Sequence, residues 1–576
     1  MAPINTRKYF FLLPIVLLTV HAFFMNGYHY VHRELTVGTY LVPIVAKADP
    51  SLFKNSIFVQ GVNRTQVRLS LSHDIFSFIL KHADFETFAM ILVIISLFFI
   101  LAGIFVLTKV LFGSSAAGYA AALLYSTELN AWTLGSPSPY LNFFHYGLNF
   151  SYPLIIWSLV FFFQKRYPPA LLLAGISWNF HPMCTVFLLF AYFTYWMFHW
   201  KEFRFKTLLN CFFTFIIPAL PVLLRTSNYL SNTSQLDYSI FMTCALWTAW
   251  FTCFPSTWPL PWLVRSGLFF SFFMITLYYA VERNLRNKIL TFTLAVAIMC
   301  FLGTIFADYY PLLQIIKLSL WRSTFLYIIL ALPCIGYFMT KIYVPSVSRL
   351  LFVITIVMLL TGYYTSYTYP IQFGRGEDMR LFLLLCVAIV FFIAHKILKR
   401  LSQLEYITYR PLILVVVCII LLDIGVLYNK GGPAIYYHGR VLNEPDPWAD
   451  IQMFAQKHSK KDDLFIIPPY MNDFGIYSQR ATLGDWAEGS NAFYLDNQFA
   501  CEWLSRMSDL GWRKLHLHGE EEGYQNLTTG EILMAAKRYG AKYIITQKPK
   551  TFELKKIYEN KLFILYEASE DFRYDR

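Results

Sequence analysis

The chain has 576 residues, 57% of them hydrophobic and 14% charged, with a mean hydropathy of +0.46 and a formal net charge of +13. A soluble domain carries about 25% charged residues, so a wholly water-soluble protein is excluded and most of the chain belongs in lipid. The Lys and Arg residues fall mostly in short loops between apolar runs, which marks membrane topology and excludes a nucleic-acid partner.

The first apolar run, residues 9–25, follows Arg7 and Lys8. No small-residue cleavage site follows it, so it reads as an uncleaved first span and not as a signal peptide. Residues 27–85 form a long outer loop, with apolar stretches at 35–46 and 75–80 suited to amphipathic helices at the interface. Apolar runs near span length follow at about 86–112, 115–128, 146–163, 206–224, 266–281, 288–306, 323–340, 348–364, 380–397 and 411–428. Residues 168–198 are too long for one span and break at Asn179-Phe180-His181-Pro182, where proline disfavours helix continuation. Lys165 and Arg166 precede this stretch while Lys201, Arg204 and Lys206 follow it, so the chain enters and returns, with His181 at the apex of a helical hairpin. A second outer segment, 225–265, carries Trp247, Trp250, Trp258 and Trp262, which suits the headgroup level.

With the hairpin counted, about thirteen crossings put the N-terminus in the cytoplasm. Seventeen Lys and Arg in the proposed inner loops against six in the short outer loops support this sidedness. Composition changes after Gly431-Gly432-Pro433: charge rises, and short runs read as helix at 448–457, strand at 464–467, helix at 529–539, and strands at 541–546 and 561–566. The expected fold is a polytopic α-helical membrane domain over residues 1–430 and an extracytoplasmic α/β domain over 431–576. A bacterial inner membrane with a periplasmic tail fits that layout. Of the nine cysteines, eight lie in or beside apolar segments and only Cys501 belongs to the tail. Their spacing predicts neither a zinc site nor a disulfide framework, and they read as small buried hydrophobes.

No phosphate-binding Gly loop, dinucleotide fingerprint, nucleophile elbow or His-Glu-x-x-His motif is present. No cofactor motif stands out either, and a requirement for a divalent metal stays open. Several strings resemble poorly characterised bacterial membrane proteins of the C-type glycosyltransferase superfamily. They are Gly27-Tyr28-His29-Tyr30, Asp49-Pro50-Ser51-Leu52-Phe53, Asn179-Phe180-His181-Pro182 and Leu318-Ser319-Leu320-Trp321-Arg322-Ser323. In the tail, Ile466-Ile467-Pro468-Pro469, Ser478-Gln479-Arg480 and Trp503-Leu504-Ser505-Arg506 complete the set. The resemblance implies transfer of a sugar from a polyprenyl-phosphate donor in the membrane to an extracytoplasmic glycan or protein acceptor, with a first-loop carboxylate as base.

A lipid-linked phosphate is a good leaving group, so one carboxylate to deprotonate the acceptor and a cation for the phosphate suffice. Glu34 and Asp49 compete for the base, with Asp74, beside His73, as a further candidate. Asp49 before Pro50 also suits a helix N-cap with proline at the first helical position. Arg322, with Lys317 nearby, is the candidate phosphate contact, its planar fork matching phosphate oxygens. His181 is a candidate positioning group. In the tail, Arg480 and Asp485 lie near Trp486, Trp503 and Arg506, a mixture that suits carbohydrate or core packing. Two other classes compete: a transporter or flippase of a lipid-linked or hydrophobic solute, and a non-catalytic scaffold that keeps the fold.

Overall fold

The computed structural model describes residues 12–25, 28–29, 37–65, 70–126, 134–135, 145, 147–232, 237–341, 435–437, 440–441, 444–491, 495–512 and 520–568. The expected spans at 348–364, 380–397 and 411–428 lie outside the described residues, as does Glu34.

The described membrane part is helical. Helix α1 (Leu12–Met25) leads to a layer of three loop helices, α2 (Val37–Ala48), α3 (Ile57–Thr65) and α4 (Leu71–His82). The bundle continues through α5 (Phe85–Phe112), α6 (Ser115–Ser126), α7 (Leu148–Phe163), α8 (Tyr167–Trp178), α9 (Pro182–Phe198) and α10 (Phe205–Asn232). Next come α11 (Tyr238–Thr248), α12 (Trp250–Cys253), α13 (Leu260–Ala280), α14 (Arg283–Thr304), α15 (Leu313–Leu318) and α16 (Thr324–Lys341).

Helix α5 illustrates how the sequence sets such an element. Asp84 accepts the Thr87 N–H at 3.2 Å to cap its start, and Gly113 ends it in the left-handed region at φ 68°. The 28 residues between are apolar on every face, as a helix with lipid on one side and protein on the other requires. Four described stretches are long and apolar enough to cross a membrane: Phe85–Phe112, Phe205–Thr226, Arg283–Tyr309 and Leu313–Phe338. The chain is therefore an integral membrane protein. Helices α6 and α8 have 12 residues each, about 18 Å of rise, which falls short of a hydrocarbon core of about 30 Å. The expected hairpin is present: α8 stops at Trp178, His181 caps α9, and Pro182 is the first residue of α9.

Small residues let the helices approach closely. A Cβ on Gly336 of α16 would lie 2.7 Å from the Ala117 carbonyl oxygen and 2.8 Å from the Ala121 nitrogen of α6. Ala117 and Ala121 are one turn apart on α6, the small-residue spacing by which membrane helices pack without a hydrophobic driving force between them.

The C-terminal part is an α/β unit. Asp446 accepts the Trp448 and Ala449 N–H groups to start α17 (Pro447–His458), with proline at its first position. A five-stranded sheet has the order β6-β5-β7-β9-β8. Strands β5 (Leu464–Ile466), β6 (Ala481–Thr482) and β7 (Tyr543–Gln547) are parallel, while β8 (Lys556–Glu559) and β9 (Phe563–Glu567) complete an antiparallel edge. The period-two alternation sends Phe465, Ile545, Phe563 and Leu565 to one core with Trp448. Leu464, Ile466, Ile544, Ile564 and Tyr566 enter a second core with Trp503, Met507 and Ile532. Further helices are α18 (Gly475–Ser478), α19 (Trp486–Gly489), α20 (Asn497–Asp509), α21 (Glu520–Gln525) and α22 (Thr529–Tyr539). A second, small sheet orders β1 (Tyr28–His29), β2 (Ile435–Tyr437), β3 (Arg440–Val441) and β4 (Glu444–Pro445), and ties the segment after α1 to the start of the α/β unit.

The second core is shared across the chain. Ile57, Phe58 and Val62 of α3 and Cys244 of α11 belong to it. Arg64 grips Asp496 through two bonds of 2.8 and 3.0 Å, and Asn55 donates to the Asp462 carbonyl at 2.6 Å. The α/β unit is thus seated on the loop helices. Within it, Gly489 faces the ring of Trp503, where any Cβ would collide. Gly489→Ala is expected to destabilise the α/β unit by about 1–3 kcal/mol, the usual cost of overpacking a filled core, read as a lower denaturation midpoint.

Candidate functional site

The site is built around one turn. Helix α15 ends at Ser319, whose φ of 46° is left-handed, and a 3-10 turn over Leu320–Ser323 then leads into α16. Three neighbours fix this turn. Thr324 Oγ1 donates to the Leu134 carbonyl at 2.9 Å, and Trp321 Nε1 donates to Thr304 Oγ1 at 2.9 Å. Gly135, at φ 78°, lies so close that a Cβ there would stand 2.7 Å from Trp321 Cβ and 3.1 Å from the Arg322 nitrogen. The turn delivers Arg322 into the bundle, where its Nε is buried and finds no hydrogen-bond acceptor among the described residues. The turn packs against α9, and Phe325, three residues beyond Arg322, stacks its ring on Tyr152 of α7, so Arg322 lies by the starts of both helices.

Two histidines stand at those helix starts. His181 Nδ1 accepts the Cys184 N–H at 3.3 Å, capping α9. His145 Nδ1 accepts the N–H groups of Gly147 and Leu148 at 3.2 and 3.1 Å, capping α7. A nitrogen that accepts from the backbone carries no proton, so in each neutral ring the proton resides on Nε2, a donor. The ring centroids are 6.0 Å apart, and Tyr40 of α2 lies 5.0 Å from His145. The Tyr152 hydroxyl is buried with no described partner, its ring stacked on Phe325 at 5.2 Å. Gly147 permits the approach of the hairpin: a Cβ would lie 2.6 Å from the Phe180 carbonyl oxygen and 3.4 Å from His181 Cδ2. The hairpin turn is further tied to α4, where Ser70 Oγ donates to the Phe180 carbonyl at 2.9 Å, and to α10, where Asn179 donates to the Pro218 carbonyl at 2.6 Å.

This cluster combines a guanidinium, two imidazole N–H donors, a phenol and two helix N-termini. Such a set favours an anion. An unmade bond at a buried donor costs about 1–3 kcal/mol, which an anionic oxygen at Arg322 would recover. The structure therefore brings together Arg322 and His181 and adds His145, Tyr152 and Tyr40. The sequence offered one signal for His145: like His181, it is a polar ring at the mouth of an apolar run.

The other candidates lie elsewhere. Lys317 is half-buried on α15, one turn ahead of Arg322. Asp49 follows α2 and does not open a helix, because its own N–H still bonds to the Val45 carbonyl at 2.9 Å. Its Oδ1 accepts the Ser51 hydroxyl and N–H at 2.6 and 2.9 Å, and Oδ2 accepts Lys461 at 3.1 Å. These bonds, the Ser51 hydroxyl foremost, hold the Asp49 carboxyl down at about 2. Partial burial raises the Asp74 carboxyl, but hydrogen bonds from Lys47 and Arg225 outweigh that and leave it below the ordinary value.

In the α/β unit, Arg480 spends its donors on Ser459 Oγ and on the carbonyls of Gln456, Ser459, Ser478 and Gln479, at 2.8–3.3 Å. Asp485 caps α19 by accepting the Glu488 N–H at 2.9 Å. Burial pushes its carboxyl up to about 7, and Glu488 is raised by burial and by Asp485 beside it. Both carboxyls line a cavity of about 20 Å³ with Arg480, Asp473, Ser56 and Phe53, room for about one water molecule. Among the described residues, no group of three or more His, Cys, Asp or Glu is placed to hold a metal ion.

Fold and site together define an integral membrane protein whose helical bundle carries a donor-lined cluster at the starts of three helices, with an α/β unit seated on its loop helices. Residues 446–510 match a domain of unknown function (DUF6798). The chain is similar to the crystal structure of ArnT from Cupriavidus metallidurans bound to undecaprenyl phosphate, at 10% identity over 98% of this chain and 99% of that one, with a TM-score of 0.47. It is also similar to the archaeal oligosaccharyltransferase AglB from Archaeoglobus fulgidus in complex with an inhibitory peptide and a dolichol-phosphate. There the identity is 12%, over 94% of this chain and 70% of that one, with a TM-score of 0.39. No curated protein matches the chain in sequence.

Asp485 makes the stability of the α/β unit depend on pH. Its folded carboxyl keeps a proton up to about 7, whereas the ordinary value is 3.8. The folded state thus binds more protons than the unfolded one between these values, and stability falls as pH rises through that window. Asp485→Asn keeps a capping oxygen and removes this carboxyl's share of the titration, leaving that of Glu488. It should make the decline between pH 4 and 7 shallower, measured by thermal melts of the purified chain across that range.

Proposed function

We propose that the chain is a membrane glycosyltransferase that takes a polyprenyl-phosphate-linked sugar at the outer membrane face and transfers it to an extracytoplasmic glycan or protein acceptor. The observation that carries this reading is the buried Arg322 Nε without a described acceptor, set beside the starts of α7 and α9. A phosphate oxygen supplies what that N–H lacks, and the guanidinium fork can take two. His181 and His145 would donate through Nε2 and fix the head group, while the apolar bundle suits the polyprenyl tail. Lys317 would add positive charge from α15, one turn ahead of Arg322. Tyr40 brings the first loop to the cluster through its contact with His145.

In the reaction, a first-loop carboxylate removes the acceptor hydroxyl proton as the oxygen attacks the anomeric carbon. The carbon–oxygen bond to phosphate breaks, and the departing lipid phosphate keeps the electron pair, its added charge stabilised by Arg322. A base works best with a pKa near the working pH. Asp49, held at about 2 and bonded to Ser51 and Lys461, is weak by that measure, so Glu34 carries more of the proposal.

Arg322→Ala should lower transfer from a polyprenyl-phosphate sugar by about 10²–10³-fold, the usual effect of losing one oriented electrostatic group. It should also weaken retention of polyprenyl phosphate in detergent, with Arg322→Lys intermediate in both. A folded Arg322→Ala chain that transfers sugar at the original rate would overturn the assignment. Retained lipid binding with no transfer by the unsubstituted chain would instead favour a non-catalytic scaffold.

A further inference from the structure

We infer that the end of the bundle opposite the Arg322 cluster holds an anionic phospholipid by its head group, between the α7–α8 turn and the α9–α10 link. Helix α9 joins the two ends: His181 caps its start, and Phe198, its last residue, lies about 25 Å further on. A phosphate held at this far end is therefore distinct from any held at Arg322, and the inference does not depend on sugar transfer.

Two short connections meet there. The α7–α8 turn carries Lys165 and Arg166, and the α9–α10 link carries Lys201, Arg204 and, at the start of α10, Lys206. Ring contacts hold the connections together. Tyr167, next to Arg166, lies 4.8 Å from Phe203, next to Arg204. Phe162 of α7 meets Tyr167 at 5.2 Å and Tyr195 of α9 at 5.1 Å. Arg166 and Arg204 thus flank one aromatic contact. The turn itself is tight: the Lys165 N–H donates to the Phe162 carbonyl and the Arg166 N–H to the Phe161 carbonyl, each at 2.9 Å. Lys165 has a φ of 62°, in the left-handed region where glycine costs least. A lysine there accepts backbone strain and keeps a cation on the turn.

All five cations are exposed, and among the described residues none is paired with a carboxylate. Glu202 is the one acidic residue in the two connections, which leaves four net positive charges. The loop layer at the other end differs: Lys47 and Arg225 meet Asp74, Arg64 meets Asp496, and Lys461 meets Asp49. Arg166 lies over the Phe161 ring, 5.0 Å from its centroid, and a stacked guanidinium keeps in-plane N–H donors for an acceptor. Exposed rings alternate with the charges: Trp200 is 68% and Phe205 80% exposed, each beside a cation in the sequence. At head-group depth such rings enter the acyl boundary while the cations meet phosphates, and basic pockets between helix ends hold anionic head groups in this way. Positive loops also set topology, but that needs charge alone. It requires neither two connections clamped by rings nor a left-handed lysine.

The test places the full-length chain in phosphatidylcholine nanodiscs containing a minor share of phosphatidylglycerol with a photoreactive head group. After illumination and digestion, label should fall on peptides covering residues 161–166 and 199–206. Unlabelled phosphatidylglycerol should suppress it, and added phosphatidylcholine should not. Arg166→Gln with Arg204→Gln should weaken binding about 10–30-fold, the effect of two basic residues at a charged surface, and the Lys substitutions at both positions should retain most of it. Lys457→Gln with Lys561→Gln, which removes the same charge from exposed positions of the α/β unit, should leave the labelling unchanged. The inference is overturned if label spreads evenly over the bundle, or if phosphatidylcholine competes as well as phosphatidylglycerol. It is also overturned if tripolyphosphate at matched concentration displaces the lipid equally, because the cations would then serve a water-borne anion. The unsubstituted chain alone yields each of these outcomes, so the result stands even where a variant fails to fold.

Discussion

A guanidinium turned into an apolar helix bundle is the constraint around which the rest of this structure is arranged. Arginine keeps its charge under all ordinary conditions, so Arg322 cannot reduce its cost by losing a proton. The surroundings instead fix its approach. A left-handed Ser319, a 3-10 turn, and bonds from Thr324 and Trp321 hold the backbone, while Gly135 leaves space where any side chain would strike the turn. The same need for close approach recurs at Gly147, which admits the Phe180–His181 hairpin. Neither glycine is explained by secondary structure alone. Both are explained by the convergence of polar groups they permit.

The histidines show how a helix start can be used twice. Each Nδ1 satisfies backbone N–H groups that would otherwise be orphaned at the first turn. That bond also decides which ring nitrogen holds the proton, and so turns a cap into an oriented donor. Among the described residues, the groups placed by Arg322 are donors and a cation, whereas Asp49 and Asp74 are drawn to Lys461, Lys47 and Arg225 elsewhere in the loop layer. The separation of charge gives the cluster its preference for an anion.

Much of this was legible in the sequence where the signal is local. Pro182 and the flanking charges marked the hairpin, the apolar runs marked the helices, and Thr528 with Glu531 forms the capping box that fixes the start of the helix over Thr529–Tyr539. Arg322 and His181 stood out as polar groups at the ends of apolar runs. His145 carries the same local mark, but its significance, like that of Tyr40 and Tyr152, depends on three elements meeting in space. The fate of Asp49 was equally hidden, because its partner Lys461 is 412 residues away. Strands β1 and β6 have two residues each, too few for any alternation to register.

The sharing of the second core has a consequence for how the chain is assembled. Composition breaks at Gly431, yet Ile57, Phe58 and Val62, from near the start of the chain, complete the packing of the α/β unit. Burial of three such side chains contributes about 1.5–3 kcal/mol each, comparable with the total stability of about 5–15 kcal/mol typical of a domain. During synthesis the early segment must wait, with its apolar face uncovered, until the last quarter of the chain emerges. The α/β unit is accordingly the closing piece of the fold, and a chain interrupted before it would leave a sticky surface on the loop layer.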